Sequence, residues 1–415
     1  MSTLGDAEFV IIGGGAVGCG VAHALAKAGK TDVLVLEREY DVGRATTSQG
    51  AGLAGQLRSS VDRTRLAMHS VRTFAELEKD PEARPEWHPV GSIRVAETPE
   101  RVEEFSRLER VAREAGLDVA RIGNDEARRL WPAMSFARAK AVLWCPTDGY
   151  MNPTSVAKSY EHDCRRRGVR FAVSTAVEKV VVKGSRIEGI ETSRGPVRCR
   201  YLVNAAGAHA YHVAQLAGLE LPILPVRHEY FVTVRVPGVH PGLPCFRIPD
   251  ATLYGRPSGD GVLLGGWEPA SLRTRPDEYA LGSRPPEVET DRAVLAGFES
   301  SFAPYLSIAG PAAASGVEYR RVGKGWPTFT PDGRFILGES SRVKGFVMAG
   351  GCNAHGISGS AGIGKLLVES LFDEKPSAYV RSLSPDRFTE ARWDWTTAAR
   401  SAQRVYETYY AIESC

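Results

Sequence analysis

The stretch from Glu8 to Glu37 admits few folds. Residues 8–12 (E-F-V-I-I) are β-branched and aromatic, as a strand buried on both faces of a parallel sheet requires. Gly13-Gly14-Gly15-Ala16-Val17-Gly18 follows, and Val17, Val21, Ala24, Leu25 and Ala28 then recur at helical spacing until Gly29 stops the helix. Residues 33–36 (V-L-V-L) form a second apolar strand that ends in Glu37 and Arg38. In this order each part has a task. Gly13 permits a tight turn, Gly15 lets backbone approach a pyrophosphate, and Gly18 lets the helix pack close on the strand. Ala16 and Val17 open a helix whose unpaired N–H groups and positive dipole end face the phosphates. Glu37 stands where a ribose presents its hydroxyls, so the pattern predicts a bound dinucleotide.

A chain of 415 residues exceeds one ordinary domain, so two packed domains are expected. Hydrophobic residues at 43% and charged residues at 24% place it among globular proteins, which excludes a disordered or fibrous chain. A formal charge of +3, with no basic stripe interleaved with aromatics, argues against nucleic acid as a partner. Seven scattered cysteines without a C-x-x-C pair read as reduced thiols and offer no metal site. The apolar run at 9–12 is too short to span a membrane, and no targeting segment precedes it. The expectation is therefore a cytoplasmic chain with no membrane partner.

Residues 44–58 read R-A-T-T-S-Q-G-A-G-L-A-G-Q-L-R. Thr46, Thr47, Ser48 and Gln49, followed by Gly50, Ala51, Gly52 and Leu53, let a backbone lie flat against a broad planar ring and hydrogen-bond its edge. Together with the triple-glycine turn and the Glu37-Arg38 pair, this loop points to FAD.

The loop resembles the flavin-contacting segment of the dimethylglycine and sarcosine dehydrogenases, within the wider D-amino-acid-oxidase-like flavoenzymes. Further motifs resemble that family in the same order along nearly the whole chain. They are D-G-Y-M-N-P at 148–153, L-V-N-A-A-G at 202–207, P-V-R-H-E-Y at 225–230, F-T-P-D at 329–332 and the glycine-rich run at 350–365. The resemblance implies an α/β fold of the glutathione-reductase type: a discontinuous Rossmann-like FAD-binding domain with an inserted antiparallel β-sheet substrate domain. The FAD-binding domain is expected at 1–85, 143–220 and 326–380, the substrate domain at 86–142 and 221–325, and a C-terminal helical tail at 381–415. Strand patterns at 178–191, 228–236 and 252–267 and helical patterns at 62–79, 99–115, 153–167, 287–303 and 359–373 fit this division. The proline- and glycine-dense run at 282–286 reads as a loop at the active-site mouth.

By the same resemblance Val177, Ala205, Ala206, Gly207, Gly351, His355, Gly356 and Ile357 join the cofactor-binding set. Two departures bear on attachment. Gln49 stands where the dehydrogenases carry a flavin-linked histidine, and Gly325 or Trp326 where the monomeric sarcosine oxidases carry a linking cysteine, so FAD is expected to be noncovalent. The lysine that binds substrate carboxylate in those oxidases falls near Ser358, and the one that promotes reaction with oxygen falls at Leu264. The electron acceptor is therefore oxygen or, with a tilt, an electron-transfer partner. Residues 405–412 look like the segment just before the folate-binding half of the larger dehydrogenases, so an iminium product is expected to be hydrolysed.

The implied reaction is oxidation of the C–N bond of a secondary or tertiary amine, an N-methyl amine or amino-acid derivative, as in an N-demethylation. It needs a neutral amine and stabilisation of charge that builds on the flavin. For the first need the resemblance implies His228, which matches the family's active-site histidine, as proton handler, and Tyr254, in the place of a family tyrosine, over the substrate. The second assigns backbone N–H groups at the helix start over 356–362, with His355 as an added donor. Arg256 and Trp267 are candidates for substrate contact. A 2-hydroxy acid dehydrogenase of the same superfamily, or a flavoprotein of a biosynthetic modification pathway, shares the N-terminal pattern.

Overall fold

The computed structural model describes residues 4–412 apart from 284, 288, 307–318 and 391. Its first sheet has five parallel strands, in the order Phe346–Gly350, Gly195–Asn204, Ala7–Ile12, Val33–Leu36, Arg170–Ala172; Ile336–Glu339 joins antiparallel at one edge. Alternation divides the apolar side chains between two buried faces. Phe9, Ile11, Val33 and Val35 meet the helices Ala16–Lys27 and Ser360–Phe372. Val10, Ile12, Leu34 and Leu36 meet Val213, Leu221 and their neighbours on the other side. Each side chain so buried contributes about 1.5–3 kcal/mol, which is why the sequence could place two apolar runs side by side.

The second sheet runs Tyr319–Gly325, His228–Thr233, Gly261–Gly266, Leu253–Ser258, Cys245–Ile248, Ser92–Ala96, Ala141–Cys145, Ala120–Ile122. It is antiparallel except where Cys245–Ile248 pairs parallel with Ser92–Ala96. That one parallel junction joins strands drawn from distant parts of the chain, which no local pattern announces. The strand Ala141–Cys145 belongs here, so this sheet reaches past residue 142. The long strand patterns resolve into hairpins. Val177–Lys183 and Arg186–Thr192 flank Gly184 and Ser185, both at positive φ, and Leu253–Ser258 and Gly261–Gly266 flank Gly259.

The expected helices form at Val61–Leu77, Pro99–Ala115, Pro153–Arg166, Arg292–Phe302 and Ser360–Phe372. The helix expected from 287 begins later because Asp291 caps it, accepting from the N–H groups of Ala293 and Val294; residue 288, like residue 284 of the expected mouth loop, lies outside the described set. The C-terminal segment is no loose appendage. Its helix Trp395–Glu407 buries Ala399, Ala402 and Tyr406 against Leu224, Val226, Trp267 and Phe329. No helix among the described residues is long and apolar enough to cross a membrane.

Candidate active site

The glycine turn fits a dinucleotide. Gly13 takes φ +109°, and a Cβ there would stand 2.5 Å from the Ala205 carbonyl; a Cβ on Gly18 would stand 1.9 Å from the Gly13 carbonyl. The helix Ala16–Lys27 opens without a side-chain cap and with no acidic residue in its first turn, so its positive end is unopposed except that Ala16 N donates to the Thr47 hydroxyl, 3.0 Å. Glu37 is buried, with Oε2 accepting from Gly14 N (2.8 Å) and Oε1 from Glu39 N (2.9 Å). Burial raises its pKa, and those two N–H groups pull it back. Val177 starts the strand beside Thr175, whose N–H donates to the Glu37 carbonyl. Arg38 points away from the turn, donating to the carbonyls of Leu281 and Ser283, 3.1 Å each.

Three segments close around this turn. Thr46–Gln49 forms a 3-10 turn in which the Ser48 hydroxyl donates to the Ala45 carbonyl at 2.8 Å. Gly52 takes φ +77° under the Met151 carbonyl, and Leu53 begins a short strand paired with Tyr150. Gly50 lies against Ile357, and Gly356 against Val17. Ala206 and Gly207 turn beside Gly13, and Gly351 packs on Thr330. Gln49 Oε1 would stand 2.6 Å from a Cβ on Gly325 and accepts from Trp326 N at 3.4 Å. The two positions that mark covalent attachment in the resembling families are thus neighbours here, and neither carries a linking side chain.

One face of the second sheet lies over the loop 46–57. Arg94, Arg247, Tyr254, Gly265, Tyr230 and Gly323 are successive partners across six strands, so their side chains share that face. Gly265 and Gly323 leave room for the rings of Tyr254 and Tyr230. Tyr230 and Tyr254 pack with Val232, Leu263, Ala51 and Leu53. His228 precedes Tyr230 by two residues and its ring lies at the centre of a hydrogen-bonded chain. Nε2 meets the Tyr254 hydroxyl at 2.6 Å and Nδ1 the Tyr406 hydroxyl at 2.9 Å, while Tyr406 donates to Glu268 Oε2. With Glu268 ionised the single Tyr406 hydrogen goes to its carboxylate, so that Nδ1 carries the imidazole proton and Nε2 accepts from Tyr254. Burial pulls His228 down to about 4 and pushes Glu268 up to about 7. Burial also holds the Tyr254 and Tyr406 phenols well above their ordinary range. Beyond Glu268 stands Arg227, 3.9 Å away and bonded to Asp291 at 3.1 Å; Arg227 and Asp291 line an open cleft of about 510 Å³.

Other assignments change. Both ring nitrogens of His355 are engaged, Nδ1 donating to the Asn353 carbonyl (2.8 Å) and Nε2 accepting from Tyr409 (2.9 Å), so the extra donor expected of it is already used. Burial and the nearby Arg58 and Arg63 hold it well below its ordinary pKa. The helix expected over 359–373 forms at Ser360–Phe372, and of the backbone N–H groups expected at its start those of residues 356–359 lie in the turn before it. Arg256 Nε donates to the Ala51 carbonyl of the loop 46–57 (2.7 Å) and Nη1 to the carbonyl of Pro257 (2.9 Å), and its guanidinium lies over the Tyr150 ring. Trp267 backs His228 and stacks on Tyr409 with ring centroids 3.7 Å apart. Leu264 turns away from the site into the opposite cluster, and Gly265 takes the position facing it. Sequence reasoning missed Glu268, Tyr406 and Tyr409, whose partners lie more than fifty positions away. Asp80, Glu82 and His162 also gather at the surface, where Arg166 already pairs with Asp80 at 2.7 Å.

A family model described as DAO, FAD dependent oxidoreductase, matches residues 8–370. The 4-methylaminobutanoate oxidase (formaldehyde-forming) of Paenarthrobacter nicotinovorans is 29% identical over 383 residues, covering 92% of this chain and 45% of that protein. The mitochondrial dimethylglycine dehydrogenase of Rattus norvegicus is 29% identical over 416 residues, covering 97% of this chain and 47% of that protein. The chain thus spans about half the length of the curated relatives it matches. Among solved structures, L-proline dehydrogenase from P. horikoshii shares the fold with a TM-score of 0.81 at 22% identity, over 94% of this chain and 99% of that one.

Proposed function

The chain belongs to the DAO family of FAD-dependent oxidoreductases, and from that premise we propose that it oxidises the C–N bond of a secondary or tertiary amine, with noncovalent FAD, to an iminium that water hydrolyses. Gly13–Gly18, Glu37 and the loop 46–53 would hold the cofactor, which when bound supplies the hydride acceptor. The observation that carries the reading is the directional chain Tyr254–His228–Tyr406–Glu268.

An amine must shed its ammonium proton before its α-carbon can release a hydride. As Tyr254 takes that proton on its oxygen, its own proton passes to His228 Nε2, the Nδ1 proton to Tyr406, and the Tyr406 proton to the Glu268 carboxylate. Each bridge is already made, so no side chain has to swing. Every group between the ends is neutral before and after, and the carboxylate is neutralised, which suits a buried site. Arg227 and Asp291 then lead to the open cleft, from which Glu268 is returned to its ionised form. His228 and Tyr254 are the proposed catalytic pair; Tyr406 and Glu268 are positioning residues.

The hydroxy-acid alternative asks the same hydride acceptor to work on an alcohol. An anaerobic screen of secondary and tertiary amines and 2-hydroxy acids, followed on the flavin spectrum, separates the two. Bleaching by amines is expected; bleaching by hydroxy acids alone would overturn the proposal.

A further inference from the structure

Residues 276–283 follow a strand of the second sheet, yet they dock on the loops of the first. Four hydrogen bonds hold them there. Arg38 Nη1 donates to the carbonyls of Leu281 and Ser283 at 3.1 Å each. The Tyr279 hydroxyl donates to the Ala208 carbonyl at 2.7 Å, and His212 Nε2 donates to the Tyr279 carbonyl at 2.7 Å. Leu281 packs against the core cluster that contains Leu36 and Val213, while Asp277, Glu278 and Gly282 stay exposed. The segment is therefore a cover, with one side on the fold and the other in solvent.

Its anchors stand on either side of the glycine turn. Arg38 follows Val33–Leu36 and Ala208 follows Gly195–Asn204, the two parallel neighbours of Ala7–Ile12. A segment fixed at both places crosses the carboxyl ends of these strands, where a parallel sheet binds its ligand. Glu37, at the position of the ribose, directly precedes the first anchor. What lies beneath is thus the adenylate end of the cofactor site.

His209 points to a ligand there independently. It is 7% exposed, and among the described residues neither of its ring nitrogens has a hydrogen-bond partner. Its ring stands edge-on to that of Tyr279, with centroids 5.5 Å apart. Burial, with Arg38 and His212 adding to it, pulls His209 down to about 3, so the imidazole is neutral, with one nitrogen to donate and one to accept. Buried nitrogens left unmatched are costly. An adenine edge, an amino donor beside a ring-nitrogen acceptor, can meet them.

We propose that residues 276–283 form a strap that closes over the adenylate end of FAD, with His209 beneath it meeting the adenine, so that the cofactor enters and leaves when Tyr279 and Arg38 let go. The inference concerns cofactor exchange and holds whichever substrate is oxidised.

Amide hydrogen exchange over 276–283 is expected to slow at least tenfold when FAD is added to the full chain stripped of flavin; equal exchange with and without FAD would overturn the proposal, and this comparison needs no variant. Tyr279→Phe loses the hydroxyl that holds Ala208 and keeps the ring against His209. A closed strap slows passage in both directions, so flavin fluorescence should show the variant taking up and releasing FAD each at least tenfold faster. Unchanged uptake, whatever happens to release, would reduce Tyr279 to an ordinary contact and overturn the strap. The hypoxanthine analogue of FAD, which carries an oxygen in place of the adenine amino group, tests His209. The unaltered enzyme is expected to prefer FAD by roughly tenfold, about one hydrogen bond, and His209→Phe to lose that preference. Equal affinity for the two dinucleotides in the unaltered enzyme, or a preference kept in the variant, would overturn the role given to His209.

Discussion

Glu268→Gln removes the charge at the far end of the hydrogen-bonded chain while keeping its shape and an oxygen that can accept from Tyr406. Burial holds the Glu268 carboxyl at about 7, against an ordinary 4.5. A difference of that size between folded and unfolded chain corresponds to about 3 kcal/mol. The raised carboxyl binds its proton more tightly in the folded state, so its contribution to stability is full below pH 4.5 and is lost as pH rises through about 7. Glutamine has no such proton to lose. Thermal unfolding of the two proteins should therefore nearly coincide at pH 4.5, and at pH 8 the variant should be the more stable by up to about 3 kcal/mol. His228 titrates in the opposite sense, its lowered pKa adding stability that is lost as pH falls towards about 4, but it is present in both proteins and cancels. The reductive rate should move the other way. With no carboxylate to receive the proton, anaerobic stopped-flow reduction should slow by roughly 10- to 100-fold, less than the loss of a direct acid or base. Its rise with pH near 7 should disappear. A variant that keeps both that rise and the original rate would refute the role given to the chain, and parallel stability curves at the two pH values would refute the burial argument.

His228→Asn should preserve the fold and the flavin spectrum but slow reduction by roughly 10²- to 10⁴-fold, since it cuts the chain between Tyr254 and Tyr406; an unchanged rate in stopped flow would return His228 to a structural role. Acid precipitation should release all the flavin to the supernatant, because Gln49 and Gly325 meet where a linking side chain would have to be; yellow colour kept in the pellet would contradict this.

The first sheet was legible because its signals are local. Residues 8–37 carry the strand, the turn, the helix and the acid in one uninterrupted stretch, and every residue needed to read the pattern lies within thirty positions of the others. Hairpin turns were less legible. Gly184-Ser185 is a two-residue turn with both residues at positive φ, but strand-forming residues run up to it on both sides, so the run at 178–191 read as one strand when it is two. The parallel partnership of Arg94 with Arg247 was invisible for a different reason: loop closure between strands so far apart leaves no trace in either of them.

For the site, the division follows the same physics. His228 and Tyr254 could be named because each sits in a motif of its own, but what surrounds them is set by cross-strand neighbours and by a helix from the far end of the chain. The run V-Y-E-T-Y-Y at 405–410 looked like a connector. Its spacing places Tyr406 and Tyr409 three residues apart, on one side of a helical turn, and folding aims the first at His228 and Glu268 and the second at His355 and Trp267. Arg256, expected at the substrate, is engaged by backbone instead, with Nε donating to the Ala51 carbonyl and Nη1 to that of Pro257. On the sheet face that lies over this loop the arginines satisfy its carbonyls, Arg256 that of Ala51 and Arg94 that of Leu57, and no motif in the sequence singled out the second of these contacts.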